Sequence, residues 1–177
     1  MNIFLPYEDD IVKSVQSLDD VRLNKQILET YQLLTSANKE FKGEEIKGYK
    51  NHPVYLHYKH DQLFLAGYGF ACCQEYTERF KKEHKLGNVM LFWFNYWEYR
   101  TPRRFGQPLG HYTPYYMEGS KGQPNYIRTT ENVSALFQQK LIKKWEQDKD
   151  KGRQPKWTNR DVPQFYQQWL KENGDER

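Results

Sequence analysis

SLDDVRLNKQILETYQLLTS, residues 17–36, is the stretch whose periodicity decides the fold. Leu23, Ile27, Tyr31 and Leu34 recur at three- and four-residue spacing, which lays one apolar stripe along a helix. Ser17, Asp19 and Asp20 supply capping oxygens and negative charge at its start, where unpaired N–H groups and the helix dipole favour both. On adjoining turns stand Arg22, Lys25, Gln26, Glu29 and Gln32. A single carboxylate, Glu29, thus sits among cations and amides on one face. Lys25 and Glu29 are also an i,i+4 pair of the kind that solvated helices carry, contributing about 0.2–0.5 kcal/mol. The face therefore reads either as a wet surface or as a site.

Outward from this helix, 177 residues suffice for one domain, 1–177, with a real core. No run approaches the roughly 18 apolar residues of a membrane span, and the first residues lack the apolar centre of a signal peptide. The expectation is a soluble cytoplasmic protein without membrane contact. Cys72 and Cys73 are the only cysteines and match no metal-ligand spacing, so reduced thiols and no metal are expected. Aromatic residues make up 16% of a chain whose mean hydropathy is −1.02, so many rings must lie near water. Arg79, Lys81, Lys82, Lys85, Arg100, Arg103 and Arg104 face only Glu83 and Glu98 in the same stretch. Basic residues interleaved with rings suit a polyanion carrying stackable bases, or else a basic surface over a tyrosine-rich core.

MNIFLP, residues 1–6, reads as an apolar segment docked on the body of the protein, and 7–16 as an acidic connection or short helix. Residues 38–50 read as a surface loop. In Asn51-His52-Pro53 the proline opens a helix whose entrance can bind a phosphate, or whose histidine is simply a cap. Helical pattern then runs from Val54 to about Lys85, with a break near Asp61, close-approach glycines at 67 and 69, and an end at Gly87. VMLFWFNYWEY, residues 89–99, is buried helix or strand; its periodicity does not decide. Residues 100–123 hold three prolines and four glycines and read as a long ordered loop. Arg103, Arg104 and His111 lie there, with Arg128 just beyond, as candidate DNA contacts, and Tyr112, Tyr115 and Tyr116 could stack on bases. Helices are expected at about 131–147 and 159–173, the second opened by a capping box at Thr158–Asp161. The predicted architecture is all-α. There are no repeats, P-loop, GxGxxG, HExxH or zinc spacing.

With these residues in hand, a family resemblance becomes visible. MNIFLP, SLDDVRLNKQILE and Asn51-His52-Pro53 resemble the pyrimidine-dimer DNA glycosylases of phages and bacteria, over the chain up to about Tyr76. These are distantly similar to the T4-type endonuclease V. That resemblance implies a small all-α enzyme whose N-terminal α-amine is the nucleophile and whose first long helix carries an assisting glutamate. Asp20, Leu23 and Glu29 stand at the spacings of the T4-type helix, so the catalytic role falls on Glu29. The nucleophile falls on Met1, or on Asn2 if the methionine is removed. The T4-type helix has histidine in place of Arg22 and arginines in place of Leu28 and Gln32, and its mature chain begins with threonine.

The resemblance therefore implies a glycosylase, with an AP-lyase step through a Schiff base, acting without cofactor on double-stranded DNA. A damaged or phage-modified pyrimidine is the expected target, and a monomer, phage-encoded or bacterial, the expected form. Arg22, Lys25, Gln26, Asn51 and His52 are the expected DNA contacts beside Glu29. Two alternatives stand beside it: a non-catalytic DNA-binding protein that takes part in host takeover, and a monofunctional glycosylase in which Glu29 or Asp19 activates water.

Overall fold

The computed structural model describes residues 3–7, 10–100 and 133–173. Among the described residues there are seven helices and no strand: α1 (Ile11–Ser17), α2 (Asp20–Phe41), α3 (Pro53–Tyr58), α4 (Gln62–Phe80), α5 (Gly87–Arg100), α6 (Val133–Lys149) and α7 (Gln164–Glu172). The all-α expectation holds. The undecided run 89–99 is helical, and lies within α5.

The helix expected over 17–36 divides at its start. Ser17 closes α1, Leu18 is extended (φ −69°, ψ 140°), and Asp19 caps α2 by accepting the Arg22 N–H at 2.7 Å. Leu23, Ile27, Leu33, Leu34 and Ala37 give α2 its buried stripe, and the helix continues to Phe41. The break expected near Asp61 is real: its carboxylate accepts from Phe64 N–H at 3.2 Å and starts α4 anew after α3. The end expected at Gly87 is not. Helix α4 stops at Phe80, where Lys81 turns left-handed (φ 53°), and Gly87 instead begins α5.

Helix α4 is the central post, packed against α1, α2 and α5. Leu63, Phe64, Leu65, Ala66, Tyr68, Cys72 and Cys73 are all buried there. Gly69 permits the approach of α2 and α5. A Cβ at that position would lie 2.8 Å from the Met90 Sδ and 3.0 Å from the Thr30 Cγ2. Both cysteines are free thiols, and burial pushes the Cys72 thiol well up and the Cys73 thiol to about 12.

Helices α6 and α7 meet each other through a cluster of rings. Trp145 is fully buried against Trp157, Phe165 and Tyr166. The last helix begins at Gln164 rather than near Asn159, because the residues of the expected capping box are used elsewhere. Thr158 donates its N–H and its hydroxyl to Asp20, and the Asn159 amide donates to the Arg79 carbonyl. Side chains that read as a local cap instead fasten the C-terminal part to the start of α2.

Arg79, read from sequence as part of an exposed basic cluster, is a second correction. Its side chain is 0% exposed and donates to Glu75, Asp20 and the Val15, Gln16 and Leu18 carbonyls. It closes the C-terminal end of α1, whose last carbonyls have no partner within their own helix. Glu75 is shared with Arg160, at 2.9 and 3.0 Å.

Candidate active site

The site is built on the side of α2 that faces the N-terminal segment. Ile3, Phe4 and Leu5 are buried, so the apolar residues at the start of the chain are docked as expected. Gln26, one turn before Glu29, is the link. Its Oε1 accepts the Phe4 N–H at 3.2 Å and the Tyr68 hydroxyl at 3.0 Å, and its Nε2 donates to Glu29 Oε2 at 3.2 Å. The Tyr68 hydroxyl also lies 3.0 Å from the Phe4 carbonyl. Burial holds the Tyr68 phenol well above its ordinary range, so it stays a donor. From the opposite side Gln138, on α6, donates to the Pro6 carbonyl at 2.9 Å, and the Phe137 ring meets Phe4 edge-on.

Glu29 lies at the rim of this assembly, its side chain 12% exposed. Its Oε1 is 3.7 Å from the Lys25 ammonium, whose own side chain is 64% exposed and reaches into solvent. One oxygen thus faces a buried amide and the other a wet cation. A carboxylate so held can stabilise developing positive charge or accept a proton at the edge of the core.

The remaining expected contacts divide. Asn51 is exposed, and His52 caps α3, its Nδ1 accepting from Val54 N–H at 3.2 Å. That bond puts the proton of the neutral ring on Nε2. The His52 ring meets Tyr49 edge-on, and the Tyr49 hydroxyl donates to Gln32 at 3.2 Å. Gln32 is one turn beyond Glu29 on α2, so His52 and Glu29 are brought to the same side of the molecule. Arg22 is turned away from them: it donates to Asp19 at 2.5 Å and to Asp148 at 2.8 Å. That pairing holds the Asp148 carboxyl below its usual range. Gln26, expected to touch DNA, is only 1% exposed. Met1, Asn2, Arg103, Arg104, His111 and Arg128 lie outside the described residues, as do Tyr112, Tyr115 and Tyr116.

Tyr68, Gln138 and Trp145 are the participants that the sequence reading missed. Trp145 Nε1 donates to Asp19 Oδ2 at 2.5 Å, alongside Arg22, so α6 steadies the cap of the helix that carries Glu29. Nothing local in the sequence marks them, because the partner of each lies far away in the chain. Among the described residues, no group of three or more His, Cys, Asp or Glu side chains could hold a metal ion, and no helix is long and apolar enough to cross a membrane.

No curated protein and no solved structure matches the chain. A family model does: that of the pyrimidine dimer DNA glycosylases, over residues 1–88. The match takes in the N-terminal segment, α1 to α4, Gln26, Glu29 and His52, and stops where α5 begins. Over residues 1–88 the chain is thus similar to the pyrimidine dimer DNA glycosylase family.

Proposed function

We propose that the protein excises a damaged or modified pyrimidine from double-stranded DNA, acts as a monomer, and cuts the strand by an AP-lyase step. The observation that carries this reading is the docking of the N-terminal segment beside Glu29 through the shared side chain of Gln26. Three residues separate Phe4 from the α-amine of Met1, at most about 11 Å of extended chain. The amine can therefore reach a sugar held at the Glu29 carboxylate.

An α-amine has an ordinary pKa near 7.7–8.0, so a useful fraction is unprotonated around neutrality. Its lone pair attacks C1′ of the deoxyribose, and the glycosidic bond breaks with its electrons leaving on the base, which takes up a proton. Transfer of one amine proton to the ring oxygen opens the sugar at the C1′–O4′ bond and leaves a protonated iminium at C1′. Glu29 stabilises the positive sugar and then accepts a C2′ proton. The electrons of that C–H bond expel the 3′ phosphate, which cuts the strand, and water releases the enzyme from the imine. Lys25 holds a flanking phosphate from the wet side of Glu29. The exposed Asn51 and the His52 at the α3 entrance contact the same strand.

Borohydride treatment of the protein with abasic-site and dimer-containing duplexes tests the reading, with mass spectrometry of the adduct. The expected result is a covalent adduct on the N-terminal peptide. In Glu29→Gln, binding should persist while base release and cleavage fall at least about 100-fold. A protein that binds DNA but forms no adduct and releases no base would be a plain binding protein, and a Glu29→Gln variant that turns over normally would remove Glu29 from the mechanism.

A further inference from the structure

We propose that Gln26 is a positioning residue that sets the register between the N-terminal segment and Glu29, with the Phe4 N–H fixing its amide the right way round. This rests on the lyase reading above. The amide is asymmetric, and its neighbours read the asymmetry. The Phe4 N–H presents its hydrogen to one end, so that end must be the carbonyl oxygen, and the single hydrogen of the Tyr68 hydroxyl is shared between that oxygen and the Phe4 carbonyl. The NH2 is then obliged to face Glu29 Oε2. A flipped amide would set donor against donor at Phe4 and acceptor against carboxylate at Glu29.

The three groups are sealed from water, with Phe4 4%, Gln26 1% and Tyr68 0% exposed, so water cannot substitute for a lost bond. Packing alone would be satisfied by leucine or methionine at a position with this burial. Leu23 and Ile27 on the same buried side of α2 show what the core there otherwise uses. What leucine cannot do is hold Phe4 N–H and Glu29 at once. With Oε2 held by Gln26, the carboxylate is oriented with Oε1 toward the wet rim beside Lys25. Displacement of the backbone at Phe4 would carry through the few residues to the amine.

Gln26→Glu separates this role from a structural one. The introduced carboxyl keeps an acceptor for Phe4 N–H and for the Tyr68 hydroxyl, but it presents a second carboxylate to Glu29. Phe4 amide protection should persist, while stability should fall at pH 7, where a second buried carboxylate meets Glu29, and return toward the parent's as the pH is lowered. At pH 7 the rate of borohydride-trappable adduct formation should fall at least tenfold, in kcat rather than KM. As the pH is lowered toward 5 the variant-to-parent rate ratio should rise, because the protonated carboxyl again supplies a donor to Glu29. Both should lose absolute rate over the same interval as the amine they share becomes protonated. Gln26→Leu should lose rate at every pH, and should also expose the Phe4 amide to exchange.

A variant Gln26→Glu whose pH profile has the parent's shape, or a Gln26→Leu with the parent's rate, overturns this role alone. A parent that forms no adduct overturns the lyase reading, and this role with it. If Gln26→Leu does not fold, the change with pH in the ratio of the Gln26→Glu rate to the parent's decides the matter.

Discussion

Arg79 has five donor hydrogens and makes five hydrogen bonds, to two carboxylates and three main-chain carbonyls. With no water near it, removal of the guanidinium leaves buried acceptors and the Glu75 charge less well compensated. Arg79→Met should cost about 3–5 kcal/mol in urea unfolding, whereas lysine, a point charge with three donors, should recover little of it. Asp61 has the opposite problem. Burial pushes its carboxyl up to about 6, against the weaker pull of the Phe64 N–H bond. The folded protein thus holds this proton to higher pH than the unfolded chain does. The contribution of Asp61 to stability is complete below about pH 4 and is lost as the pH rises through about 6. Asp61→Asn keeps the capping oxygen without the buried charge. It should stabilise the protein at pH 7 by on the order of 1–3 kcal/mol, seen as a higher Tm, and leave stability nearly unchanged at pH 4.

At the scale of the elements, α2 depends on Asp19, which caps the helix while accepting from Arg22 and Trp145. Asp19→Ala should cost about 2 kcal/mol or more, with the excess over an ordinary cap arising from the stranded indole N–H of Trp145. Gly69→Ala puts a methyl against Met90 and Thr30, and should destabilise by about 1–3 kcal/mol in the same assay. These elements were unequally legible in the sequence. The stripe Leu23, Ile27, Leu34 announced α2, because apolar burial follows helical period. Gln26 lies on the same buried side yet reads as surface, since only a partner 22 residues away satisfies its amide. Arg79 misled for the same reason. Its i,i+4 spacing to Glu75 was visible, but nothing local says that such a pair is dry. The Thr158–Asp161 cap was misread because capping side chains serve any nearby donor or acceptor, and here Asp20 claimed Thr158 before the helix could.

Over the whole molecule, the residues matched by the family do not close on themselves. Asp19 takes its indole from α6, and Asp20 takes Thr158 and the Lys156 carbonyl, which accepts the Asp20 N–H at 2.8 Å. Pro6 takes Gln138, and the Ser17 carbonyl takes the Trp157 indole. A chain ended at residue 100 should therefore lack a cooperative urea transition, even though Glu29, Gln26 and His52 are all retained. The two thiols of α4 carry a further consequence. Sealed in the central post, and held protonated far above neutral pH, Cys72 and Cys73 offer no thiolate to a reagent while the fold is closed. Their labelling must wait for α4 to come away from its neighbours. The chain thus carries its own clock for opening, one that ticks without DNA, without turnover and without any engineered probe.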